Sequence, residues 1–249
     1  MHPLMRTVPA SALAVVIALS AAACGPLGSG TSGASPLSGT PDQIVQKAVN
    51  NLKAATSLQI SGSVISSGSN VKLDLTDVAA AGCKGMIKLG AAASGSSTAG
   101  ALSGTADLIE VNSTVYMELD QSFFKNLSLP SSVFSVVTGK YIEVTSKSGL
   151  ANFAQLCDPS TLANGFDKEV TGFVKDGTAT IDGQATEAFK QPSHAGSGVV
   201  YVSESSTPEI VRLQGPSNEG QINFTSYNAP ATITAPAASD VIKGSKVGL

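Results

Sequence analysis

From residue 58 to residue 227 the chain repeats one pattern: short runs of alternating apolar and polar residues, each closed by a turn signal. Alternation with period two places one set of side chains on one face of a strand. Asp182-Gly183 separates the runs 179–181 and 185–189, and 112–114 separates 108–111 from 115–119. A two-residue Asp-Gly connection is a strong hairpin signal, because its backbone matches the twist of the flanking strands. Successive hairpins build an antiparallel sheet, and this constrains the fold more than any other feature of the chain.

One helix precedes the strands. Thr40 can cap it, Pro41 suits its first position, and Gln43 completes a capping box. Ile44, Val45, Ala48, Val49, Leu52 and Ala55 then fall on one face, opposite Gln46, Lys47, Asn50 and Lys53, which predicts a helix over 42–55 that covers something apolar. Strands are expected around Leu58, Ile60 and Val64, at 71–75, and at 83–89. A small-residue loop is expected at 91–104. The middle changes character. It reads as a short helix at 122–127, a loop around Pro130, a strand at 141–145, and a helix at 150–156 that resumes past Pro159 to Leu162. Strands return at 179–181, 185–189, 199–202, 210–213 and 221–227. Pro230 and Pro236 mark an edge or extended tail, and 237–242 reads as a short turn. The expectation is about ten strands, one early helix and a helical insertion.

Residues 1–24 read as an export leader. Arg6 is its one full charge, an apolar run covers 12–19, and Ser20, Ala21, Ala22 and Ala23 precede Cys24. About 12 residues between Ala12 and Cys24 fall short of the ~20 that cross a bilayer as a helix. A small residue before Cys24 resembles the lipobox of bacterial lipoproteins, in which the cysteine receives a diacylglyceryl group and becomes the mature N-terminus. Ala21-Ala22-Ala23 also satisfies the small-x-small rule of ordinary secretion, which would leave Cys24 a free thiol. Either cut removes 1–23. Residues 25–39, rich in Gly, Ser and Pro, then form a flexible tether together with Cys24, and 40–249 form a single domain. The literal GxGxxG at 28–33 has no strand before it and no helix opening at it, so it is no nucleotide site.

Arg212 is the one arginine beyond the leader and the net charge is −3, which argues against nucleic acid. Cys83 and Cys157 remain beyond Cys24. In an exported chain an even pair suggests a disulfide, the other reading being two separate buried thiols. His194 is the one histidine beyond the leader and sits in a loop composition of Pro, Ser and Gly, with no Cys, Asp or Glu at metal-ligand spacing. No GxSxG, SxxK, HExxH or P-loop is present, so neither enzyme, metal nor cofactor is expected.

Several stretches in this order carry a resemblance. They are the leader through Cys24, the first helix running into 58–64, the hairpin 109–117 (IEVNSTVYM), and 179–189 (ATIDGQATEAF). The segments 200–213 and 222–236 (INFTSYNAPATITAP) complete the set. Together they resemble the LppX/LprA/LprF/LprG family of actinobacterial envelope lipoproteins, whose fold is similar to the LolA and LolB carriers. The resemblance implies an α+β fold. A strongly curved antiparallel half-barrel would be closed by helices on its concave face, around a cavity for acyl chains. By helix face and strand alternation alone, Ile44, Val45, Val49, Leu52, Leu58, Ile60, Leu73, Ile87, Val115 and Met117 are expected to line that cavity. Small barrels are filled by default, so the alternative is a packed interior.

Two functions follow. One is an envelope lipoprotein, anchored outside the cell membrane through Cys24, that binds or transfers an acylated lipid, glycolipid or lipoglycan. The other is a cavity-poor scaffold or sensor lipoprotein on the same fold that binds a membrane transporter or envelope protein. A monomer is expected in both.

Overall fold

The computed structural model describes residues 37–248 apart from 67–68, 92–102, 128–129, 146–147, 160–169, 193–197 and 217–218. The leader with Cys24, most of the tether, His194, the loop at 92–102 and the extension to Leu162 lie outside the described residues.

Helix α1 spans Pro41–Lys53, and both halves of its capping box form: the Thr40 hydroxyl accepts from the Gln43 N–H at 3.3 Å, and the Thr40 N–H donates to Gln43 Oε1 at 2.9 Å. Ile44, Val45, Ala48, Val49 and Leu52 are buried along one stripe. Burying each large one contributes roughly 1.5–3 kcal/mol, far more than propensity supplies over 13 residues. Polar side chains fasten the other faces. The Gly172 and Phe173 N–H groups donate to Asp42 at 3.2 and 2.8 Å. Lys47 Nζ donates to the Ser206 carbonyl at 3.2 Å, and Asn51 Nδ2 donates to the Pro208 carbonyl at 2.7 Å.

The strands are β1 (Ser57–Ser66), β2 (Ser69–Val78), β3 (Gly82–Ala91), β4 (Gly104–Val111), β5 (Thr114–Leu119), β6 (Tyr141–Val144), β7 (Val174–Ile181), β8 (Gln184–Lys190), β9 (Val199–Ser203), β10 (Ile210–Gln214), β11 (Gly220–Thr225) and β12 (Val241–Lys243). They form one sheet in the order β12-β6-β5-β4-β3-β2-β1-β11-β10-β9-β8-β7. Every neighbouring pair is antiparallel except β12 with β6. The sheet is open: β7 and β12 are its edges.

Between β5 and β6 lie α2 (Gln121–Asn126) and α3 (Ser131–Val137), and a 3-10 helix, Gly149–Cys157, follows β6. Asp120 caps α2 by accepting from the Phe123 N–H at 2.7 Å, and it also accepts from the Thr105 N–H at 2.8 Å. A Cβ on Gly104 would stand 2.2 Å from the Phe123 nitrogen, so glycine there is what lets α2 approach β4. Phe124 and Phe134 pack at 5.3 Å between ring centroids, and Phe123 and Phe153 at 5.8 Å. Beyond β11, residues 226–237 contain no strand, and residues 241–243, expected within a turn, pair instead with β6.

Candidate functional site

The ten residues expected to line a cavity are all buried in one packed apolar cluster, none more than 8% exposed. The β1–β2–β3–β4–β5 register brings them together. Ile60 stands opposite Leu75, Leu73 opposite Ile87, Ile87 opposite Ala106, and Leu108 opposite Met117. Leu75, Leu108, Phe189, Val202 and Phe224 belong to the same cluster. These side chains pack against one another and against α1. Three of the ten also reach surface recesses. Ile44 borders one of about 30 Å³, Leu58 one of about 220 Å³, and Leu52 one of about 470 Å³.

The recess at Leu52 lies where the C-terminal end of α1 meets the sheet. Leu52, Lys53 and Ala55 form one wall. Residues 77–82 between β2 and β3, Glu110, Asn112, Ser113 and the segment 157–159 form the others. The strand register explains why acids gather there. Asp77 of β2 is paired with Cys83 of β3, and Cys83 with Glu110 of β4. Directly paired residues project from the same face, so the two carboxylates flank Cys83 in one row across three strands. Cys83 is disulfide-bonded to Cys157, with the Cα atoms 5.4 Å apart, and Asp158 follows immediately. The disulfide thus brings a third carboxylate over the row.

Burial and like charge act on Asp77 in the same direction. Burial pushes the Asp77 carboxyl up to about 6, helped by the charges of Asp158 and Glu110. Burial and then Asp158 push Glu110 upward as well. Desolvation and like charge both disfavour ionisation of Asp77, which therefore holds its proton to a higher pH than an exposed carboxyl does.

Alternation singled out the apolar inner face but not this acidic row. The available signal was the phase of β2: Asp77 continues the inner-face series Leu73, Leu75 and is 5% exposed. A carboxylate continuing an apolar series is a buried charge, which marks a site more specifically than any apolar residue does.

No protein-family model matches this chain, and no curated protein sequence does. Among solved structures, the lipoprotein LprF of Mycobacterium bovis superposes with a TM-score of 0.50 at 16% identity, over 80% of this chain and 100% of that one. The lipoprotein LppX of Mycobacterium tuberculosis gives 0.42 at 13% identity, over 78% and 97%. At such identity the likeness is one of fold, and the fold of this chain is that of the LprF-type lipoproteins.

Proposed function

We propose that the protein is a cell-envelope lipoprotein that binds or transfers an acylated lipid or glycolipid between α1 and the inner face of its sheet. In this reading residues 1–23 are removed, Cys24 carries the diacylglyceryl anchor, the remainder of 24–39 tethers, and 40–249 form the binding domain. The function is binding rather than catalysis.

One observation carries it: a single short helix serves a sheet too wide for it unless the sheet curls. Eight strand steps separate β4 from β7, roughly 38 Å at the usual spacing. α1, with 13 residues, is about 20 Å long. Yet Asp42 at its start bonds residues 172–173 just ahead of β7, while Leu52 and Lys53 at its end share a recess with Glu110 of β4. A chord shorter than the arc supports a half-barrel with α1 on its concave side. Gly62, Gly85 and Gly220 lie in the phase of the inner face, where absent side chains favour sharp strand bends. The interior is apolar from Ile142 of β6 to Val200 of β9. Acyl chains would reach it as α1 moves aside, since its ties to the 172–173 and 206–208 segments are a few polar side chains at the surface.

The tight packing of the inner face supports the second reading, a scaffold that engages a protein partner through its outer surface. Val49→Trp separates the two. If acyl chains occupy the space beneath α1, the purified full-length protein yields extractable lipid by mass spectrometry. The indole then displaces that lipid with little change in thermal midpoint. If the interior is permanently filled, overpacking costs about 1–3 kcal/mol, the midpoint drops, and neither protein yields lipid, which would sink the carrier reading.

A further inference from the structure

We propose that Glu187 is a buried hydrogen-bond acceptor for the ligand, and that the lipid this protein takes therefore carries a neutral donor, such as a hydroxyl, among its acyl carbons. The inference rests on the lipid-binding reading and names a property of the lipid.

The central observation is Glu187 Oε2, a buried oxygen to which no donor is bonded among the described residues. Glu187 is 5% exposed, and its other carboxylate oxygen bonds Lys175 Nζ at 2.6 Å. Buried acceptors are normally satisfied, because leaving one bare costs more than an ordinary hydrogen bond returns. The register turns this side chain inward. Glu187 stands directly opposite Val202 of β9, and Phe189 follows two residues later on β8; both are fully buried in the apolar cluster. Directly paired residues, and residues two apart on a strand, share a face. The carboxylate therefore belongs to the inner face. β8 lies between β7 and β9, and α1 packs on both of these strands. The helix is tied at its start just ahead of β7 and at its middle to the β9–β10 turn. The bare oxygen thus lies in the part of the inner face that the first half of α1 spans. Asp77, the other buried charged residue among those described, stands at the opposite end of the helix.

The ion pair selects the donor. One carboxylate against one ammonium leaves Glu187 and Lys175 in balance. A ligand ammonium would add an uncompensated positive charge among apolar side chains, and a phosphate or carboxylate would face a like charge at Oε2. A carbonyl or ether oxygen has no proton to give. A hydroxyl or amide N–H supplies the proton without adding charge, and a hydrogen bond to an ionised acceptor is stronger than one between neutral groups. The donor is therefore carried in the apolar part of the lipid, apart from any charged head group.

The test uses full-length protein freed of bound lipid. Competition titration compares stearic acid with a series of monohydroxystearic acids that differ in the position of the hydroxyl, and with the corresponding oxostearic acids. Wild type should bind at least one hydroxy acid about tenfold more tightly than stearic acid, and its oxo counterpart no more tightly than stearic acid. Glu187→Gln, whose amide donates where the carboxylate only accepts, should gain affinity for the oxo acid. Lys175→Met/Glu187→Met removes both charges together and should abolish the preference for hydroxyl over plain chain. Equal affinity of wild type for hydroxy, oxo and plain chains would overturn this inference, assign Oε2 to a water, and leave lipid binding standing. A hydroxyl preference that survives in the double variant would also overturn it, because the partner would lie elsewhere. Folded wild type that binds none of these chains would overturn the lipid-binding reading itself, and this inference with it.

Discussion

Replacing Cys83 and Cys157 together by alanine removes a cross-link spanning 74 residues, from β3 to the end of the 3-10 helix. In the chain-entropy model a closed loop of that length restricts the unfolded chain by about 15 cal/mol/K, or about 4.5 kcal/mol at 25 °C. Domains are stable by about 5–15 kcal/mol, so the loss is a large fraction of the whole. The native state has less to lose, because Leu150 is buried and Phe153 packs on Phe123, holding the start of the 3-10 helix without the bond. The cost should therefore appear in the unfolded state. Urea denaturation without reductant should show the midpoint falling and the m-value rising, since the released chain exposes more surface. Refolding should slow more than unfolding accelerates. A stability loss below about 1.5 kcal/mol with an unchanged m-value would refute an unfolded-state mechanism.

Other perturbations follow from single contacts. Asp77 is raised to about 6 from an ordinary 3.8, so the native state holds a proton that the unfolded state has released, and stability falls as pH rises through that interval. Wild type should lose up to about 3 kcal/mol between pH 4 and 7.5 that Asp77→Asn does not lose; parallel curves for the two proteins would refute it. Lys175 bonds Glu187 at 2.6 Å, and the Glu187 side chain is 7% exposed with no partner for its Oε2. Lys175→Met should cost about 3–5 kcal/mol by chemical denaturation, and Lys175→Met/Glu187→Met much less, because the first strands a buried charge and the second removes it. Asp42→Ala removes an acceptor for two N–H groups at the positive end of α1 and should cost about 2 kcal/mol in thermal unfolding; a loss under about 0.5 would mean these bonds only replace water.

Local signals were legible where the chemistry is local. The capping box wrote α1, and Asp182-Gly183 and Asn112-Ser113 adopt positive φ at both central turn positions, as tight hairpins require. α1 stops at Lys53 rather than at Ala55, with Ala54 as its cap. α3 was read as loop because Ser-Ser-Val-Phe-Ser-Val-Val is poor helix material; burial of Val137 and the Phe134–Phe124 contact supply what propensity does not. β7 begins at Val174, earlier than its alternation suggested, because most of this edge strand is exposed on both faces and its register shifts between Lys175 and Thr178. β12 has three residues and its partner is a hundred positions away, so nothing local could announce it. The apolar face was readable from alternation, and with two cysteines beyond Cys24 the choice lay between one bond and two separate thiols. The acidic row was not readable, because it requires the register of three strands and a disulfide from a fourth element.

That row lies where four features of the molecule meet. The β2–β3 and β4–β5 turns, the end of α1 and the end of the 3-10 helix all border one recess. The start of α1 is tied to residues 172–173 and its middle to the β9–β10 turn, while its end faces the carboxylates. The disulfide holds Asp158 to β3 beside that end. The lipid-binding proposal would use this neighbourhood, with acyl chains admitted under α1 and a polar head at the rim of the recess. Leu52 joins the two, since it is buried in the apolar cluster and lines the recess as well.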